Sequence, residues 1–121
     1  KEDFQDAKEI YKMTSNFSHL SKETSIREMV ALISKCRASI ANDSGPMHLS
    51  AAIGIPTIGI FGPTNPFAHG PFCKKCFWVR KEDLDCIQCN LIECNRNHEC
   101  MRDLNPALVI EKLEIIFSQQ E

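Results

Sequence analysis

The residues best suited to chemistry are crowded into one short string, Asn42-Asp43-Ser44-Gly45-Pro46-Met47-His48. Asp43 or Ser44 can cap a helix, and Pro46 fits its first position. A helix start of this kind presents backbone N–H groups and the positive end of a dipole to an anion. Gly45 lets the backbone approach a ligand closely. Ser44 offers a hydroxyl and an N–H. His48, in the first helical turn, can donate to a phosphate oxygen, more strongly when charged. A carboxylate repels phosphate, so Asp43 is expected to take sugar or ribose hydroxyls, or to cap the helix. The plainer reading is a capped turn with a structural His, with Met47 in the core.

Cysteine is the second source of chemistry. The chain has seven, more than a reducing compartment usually tolerates unless they bind metal or do redox work. Cys86, Cys89, Cys94 and Cys100 form a compact set of four, and Cys73 and Cys76 add a pair. The set of four can meet tetrahedral zinc. An iron–sulfur cluster, disulfides and free thiols are the other states open to it. A structural loop staple is the preferred role, with zinc ahead of disulfides and of free thiols. His98 can stand in for a cysteine ligand, or simply face solvent. Cys36 lies on a helical face and is expected in the core. His19 is expected to be structural. His69 lies on a loop near the proposed ligand edge, as a pocket wall or as a surface residue.

The elements that must position these groups alternate helix and strand. Phe4, Ala7, Lys8, Ile10 and Tyr11 suit an amphipathic helix ending near Met13. Residues 16–20 suit a short strand. Ser25 and Glu28 have capping-box spacing. Ile26, Met29, Val30, Ile33 and Cys36 continue a helix to about Arg37. Small apolar residues from Ala38 lead into the Asn42–His48 turn as a strand. Gly54 should stop the helix after it, and Pro56 prevents its return. Thr57 to Phe61 reads as a buried strand, followed by a second turn at Gly62-Pro63-Thr64. Phe77-Trp78-Val79 reads as another strand, and Asp85 to Arg102 as irregular. Asn105 caps and Pro106 opens a last helix, with Leu108, Val109, Leu113, Ile116 and Phe117 on one face. Strand–helix–strand of this length implies a parallel crossover. Both turns then lie at the carboxyl edge of one sheet, where open α/β sheets bind ligands.

Composition sets the limits. The chain has 121 residues, room for one core and little more. It begins at Lys1, which leads to the expectation that it is excised from something larger. A net charge of −2 gives no pull toward nucleic acid or an anionic membrane. No apolar run approaches the ~20 residues of a membrane-spanning helix, and no signal peptide is visible. Asn16-Phe17-Ser18 and Asn42-Asp43-Ser44 match the glycosylation pattern and are read as chance.

The wording of the central stretch also carries a resemblance. Asn42-Asp43-Ser44-Gly45-Pro46-Met47-His48, then Gly54-Ile55-Pro56-Thr57, then Phe61-Gly62-Pro63-Thr64-Asn65-Pro66 resembles the heptosyltransferases of glycosyltransferase family 9. The likeness extends back through Thr24 to Met29 and forward through Cys86 to Met101. It implies an α/β fold with a Rossmann-like parallel sheet, the C-terminal half of a GT-B glycosyltransferase, with a cysteine-rich loop before the last helix. It implies that residues 1–121 are part of the donor-nucleotide domain, with the cysteine-rich loop at 73–101. The implied reaction is transfer of heptose from ADP-heptose to the lipopolysaccharide inner core. The implied donor contacts are Asp43, Ser44, Gly45 and His48. An acid near Glu2 and Asp3 would hold the nucleotide ribose. Lys22-Glu23 departs from the family pattern, which has Gly and a basic residue there. No cofactor is implied for transfer, so that a zinc at the cysteines would be structural. The acceptor and the catalytic base belong to an N-terminal domain outside these residues. Location is implied to be cytoplasmic, at the inner face of the inner membrane of a Gram-negative-type bacterium, with peripheral membrane association. Two other functions compete: a non-catalytic nucleotide- or phosphate-binding module, and a metal-stapled interaction domain.

Overall fold

The computed structural model describes residues 2–14 and 17–118, with the backbone alone for Glu2 and Asp3. Helix α1 spans Glu2–Met13 and α2 spans Ile26–Ile33. Strand β1 (Ser39–Asn42) leads into α3 (Gly45–Ala52), which returns to β2 (Thr57–Phe61). The short α4 (Pro66–His69) precedes β3 (Phe77–Arg80). A second short helix, α5 (Glu99–Arg102), and then α6 (Ala107–Ser118) close the chain.

The strands make one parallel sheet in the order β1-β2-β3. Register pairs Asn42 with Ile60 and Phe61 with Arg80, so all three strands end along the same edge. The fold is thus the α/β, parallel-sheet class expected. Alternation decides what each face of β2 meets. On one face, a Cβ at Gly59 would stand 2.7 Å from Met47 Sδ, so α3 presses directly on the backbone there. On the other, Ile58 packs with Val79 and Ile116, supported by Val109 and Leu113 of α6. Burial on both faces explains the unbroken apolar run of β2.

Local signals set the helix ends. Gly54, at φ +80°, follows α3 in the left-handed region. Its N–H bonds Ala51 O at 3.0 Å and the Ile55 N–H bonds Ser50 O at 3.0 Å, the paired bonds of a Schellman stop. Asn65 Oδ1 accepts from the Phe67 N–H and Asn105 Oδ1 from the Ala107 N–H, each at 3.0 Å. Ser25 and Glu28 form the expected reciprocal capping box on α2.

Four expectations need correction. Helix α2 ends at Ile33, not near Arg37. The Ser34 hydroxyl turns back to Ala31 O at 2.7 Å, and the Lys35 and Cys36 N–H groups close tight turns on Leu32 and Ile33. Cys36 is thereby carried off the apolar face and is exposed. Residues 17–20 hold no strand, and Asn16 lies outside the described residues. His19 stands exposed in that irregular segment, with no element to support.

Candidate functional site

Strand β1 delivers Asp43 to the carboxyl edge of the sheet. The Asp43 N–H bonds Ile60 O at 3.2 Å, continuing the β1–β2 ladder one step past the strand. Ser44 takes the N-cap position of α3 in an extended conformation. Its hydroxyl turns away to Asn42 O at 3.0 Å, and no side chain caps the helix. Neither Asp43 nor Ser44 therefore caps by side chain, contrary to one of the two expected uses. The Met47 N–H bonds Ser44 O at 3.1 Å, and Pro46 has no N–H to offer. The uncapped start leaves the dipole end of α3 turned outward, with no side-chain oxygen competing for it.

Gly45 stands at that start with nothing within 4 Å of the position a Cβ would take. The space above the turn is open, and the fold does not demand glycine there. His48 is half exposed, with Nε2 4.0 Å from Asp43 Oδ1. That separation is too long for a hydrogen bond but close enough for attraction when the imidazole is charged.

Asp43 lines a groove of about 200 Å³ together with Asn42, Ile60, Gly62, Pro63, Thr64 and Met101. Both turns that follow strands thus share one concavity. Ser44, Gly45 and His48 do not line it; they follow Asp43 along the turn and first helical turn beside it. Met101 is the wall that sequence reasoning missed. It enters because a Cβ on Gly62 would lie 2.8 Å from Met101 Sδ, so only a bare backbone admits that side chain. His69 is exposed at the end of α4 and does not line the groove. The side chains of Glu2 and Asp3 lie outside the described residues.

The four clustered cysteines, Cys86, Cys89, Cys94 and Cys100, are free thiols, each partly buried. All four line one largely enclosed cavity of about 30 Å³, with Gly62, Pro63, Arg96, His98 and Glu99 among its other walls. Burial pushes the Cys100 thiol above its ordinary value, and Cys94, Cys89 and Cys86 add to the effect. As the side chains stand, no three His, Cys, Asp or Glu among the described residues are gathered closely enough to hold a metal ion. Cys73 and Cys76 form a disulfide. Arg96 pairs with Asp85 and with Glu99. The first contact holds the Asp85 carboxyl below the usual carboxylate range.

The family model for glycosyltransferase family 9 (heptosyltransferase) matches residues 1–99. Lipooligosaccharide heptosyltransferase 2 of Campylobacter jejuni serotype O:2 is 39% identical over 95 residues, 78% of this chain and 30% of that protein. Lipopolysaccharide heptosyltransferase 2 of Escherichia coli K12 is 30% identical over 112 residues, 85% of this chain and 30% of that protein. Among solved structures, E. coli ADP-heptose lps heptosyltransferase II superposes with a TM-score of 0.73 at 26% identity. That match covers 99% of this chain and 35% of the other. The chain spans about 30% of the length of the curated relatives it matches.

Proposed function

The chain belongs to glycosyltransferase family 9, the heptosyltransferases, and from that premise we propose that it forms the donor-binding part of such an enzyme. In this reading residues 1–121 belong to the C-terminal, nucleotide-binding domain of a GT-B glycosyltransferase. The intact protein transfers heptose from ADP-heptose to the inner core of lipopolysaccharide. The observation that carries the reading is the meeting of the Asp43 and Gly62–Thr64 turns in one groove, beside an uncapped helix start with open space over Gly45.

Each residue then has a role that follows from its place. The diphosphate lies over Gly45, where a side chain would stand in its way. The Ser44–Gly45 backbone and His48 hold charge on the departing nucleoside diphosphate, stabilisation that grows as the sugar leaves. Asp43, from inside the groove, accepts hydroxyl donors of the sugar or ribose. The acceptor and the base that deprotonates it belong to protein outside these residues. No helix among the described residues is long and apolar enough to cross a membrane. In the proposed reading, from the family and independently of that absence, the enzyme works in the bacterial cytoplasm and meets its acceptor at the inner membrane surface.

A donor screen on the intact protein tests this. ADP-, UDP- and GDP-sugars are offered with heptose-deficient lipopolysaccharide as acceptor. The expected outcome is transfer from ADP-heptose well above the other donors. Preference for UDP- or GDP-sugars would overturn the donor assignment, and binding without any transfer would favour a non-catalytic module.

A further inference from the structure

We propose that Cys86, Cys89, Cys94 and Cys100 are the ligands of one structural zinc ion that fastens the cysteine-rich loop against the donor groove. The four thiols come from a segment with little else to hold it. Between β3 and α6 the one helix is α5, a single turn, and Leu91 and Ile92 are 57% and 96% exposed. A loop of this length without its own core needs a cross-link to keep one conformation.

Three features single out these sulfurs. All four line the same largely enclosed cavity of about 30 Å³, and four sulfurs around one such space is the donor set of a structural zinc. The Arg96 backbone N–H already points at Cys94 Sγ, 3.4 Å away, the kind of contact that steadies a thiolate. Gln88, Asn90, Asn97 and His98 all lie in the left-handed region, at φ between 52° and 61°. They sit inside or just after the Cys86–Cys89 pair and just before Cys100. Asn and His take that conformation more readily than other non-glycine residues, and the four turns flank cysteines that line the cavity.

The sulfurs have not converged on one point. Closing the site requires each sulfur to turn about χ1, the one bond that places it relative to the backbone. Binding converts four thiols to thiolates and releases four protons to solvent. Arg96, at the cavity wall, is held by Asp85 and Glu99.

The site is tied to the groove. A Cβ on Gly62 would lie 3.1 Å from Cys100 Sγ, and the Asn90 N–H bonds Pro63 O at 2.9 Å. Met101, next to Cys100, is a groove wall. The ion therefore fixes the Gly62–Thr64 turn and the Met101 wall from behind.

The test is metal analysis of the intact protein purified under reducing conditions without chelator, followed by titration with an organomercurial thiol reagent. We expect about one zinc per chain, released in step with modification of four thiols. Cobalt exchanged into the site should show thiolate-to-metal charge transfer and the strong visible bands of a tetrahedral centre. Cys94→Ser should lose the metal, whereas Cys36→Ser should keep it. Because Cys94→Ser can also misfold, the wild-type release and cobalt spectra decide the matter alone. Metal-free wild-type protein, two disulfides among the four cysteines, or iron with labile sulfide would each overturn the proposal. The readout is independent of donor identity, so failure of the donor assignment leaves it standing.

Discussion

A single carboxylate, Asp43, ties the chemistry to the sheet. Its place in the groove was legible because Asn-Asp-Ser-Gly-Pro can hardly be anything but a strand end turning into a helix. His48 follows from that, one turn along. Replacing it with Ala should weaken binding of ADP to the intact protein by about 1–3 kcal/mol, the range for a charge-assisted hydrogen bond. Isothermal titration reads this directly, and an unchanged Kd would remove His48 from the donor contacts. Met101 and Cys36 were not legible. Met101 reaches the groove through a contact over Gly62 that spans distant parts of the chain, and no local pattern records it. Cys36 fits the helical spacing of its neighbours, but Ser34 ends the helix before it. Gly62→Ala should push Met101 aside and cost about 1–3 kcal/mol of stability, as overpacking does. Denaturant unfolding checks it, and a neutral result would mean that Met101 moves freely.

Among the elements, helix boundaries followed local chemistry closely where a cap was present. Ser25 accepts from the Glu28 N–H at 3.3 Å, and Glu28 accepts from the Ser25 N–H at 2.8 Å. Ser25→Ala should destabilise α2 by about 1 kcal/mol, the usual worth of such a cap. The Glu28 carboxyl is held below its usual range, first by the Ser25 backbone N–H and then by its hydroxyl. A carboxyl depressed in the folded state adds stability above its unfolded value and loses it as pH falls through the folded value. The α2 cap should therefore loosen on acidification below the ordinary glutamate range, and Ser25→Ala, which keeps the backbone N–H but loses the hydroxyl, should weaken that dependence without removing it. Backbone amide shifts of residues 25–28 followed against pH would show it. The absent strand at residues 17–20 has a different cause. Its residues suit a strand, but strand formation needs a partner, and α1 and the described sheet provide none there. Strand β1 likewise bounds the described sheet, with Ile40 48% exposed.

At the scale of the whole molecule, parallel alternation of strand and helix made the fold class legible, because only one connection pattern satisfies it. The cysteine-rich loop was legible as a cluster but not in its state, since spacing is shared by zinc, disulfide and free-thiol loops. This chain by itself should show no transferase activity. Acceptor and donor must be brought together in a cleft, and positioning is worth up to about 7–11 kcal/mol. In the proposed reading, the groove over Asp43 is one wall of that cleft. Transfer from ADP-heptose to heptose-deficient lipopolysaccharide, run with this chain and with the intact protein, checks the point. Comparable rates would place the base among Asp43, His48 and His69.

The central claim is that a nucleoside diphosphate sits over the start of α3. Gly45 tests it most directly, because its Cβ position is empty and its backbone imposes no need for glycine. Substitution by Val should leave the fold intact and put a side chain where the phosphates belong. The measurement is titration of ADP into the intact protein and its Gly45→Val variant, with circular dichroism confirming an unchanged fold. Loss of measurable binding in the variant is the predicted result. Equal affinity in both proteins would contradict the account and move the donor away from this turn.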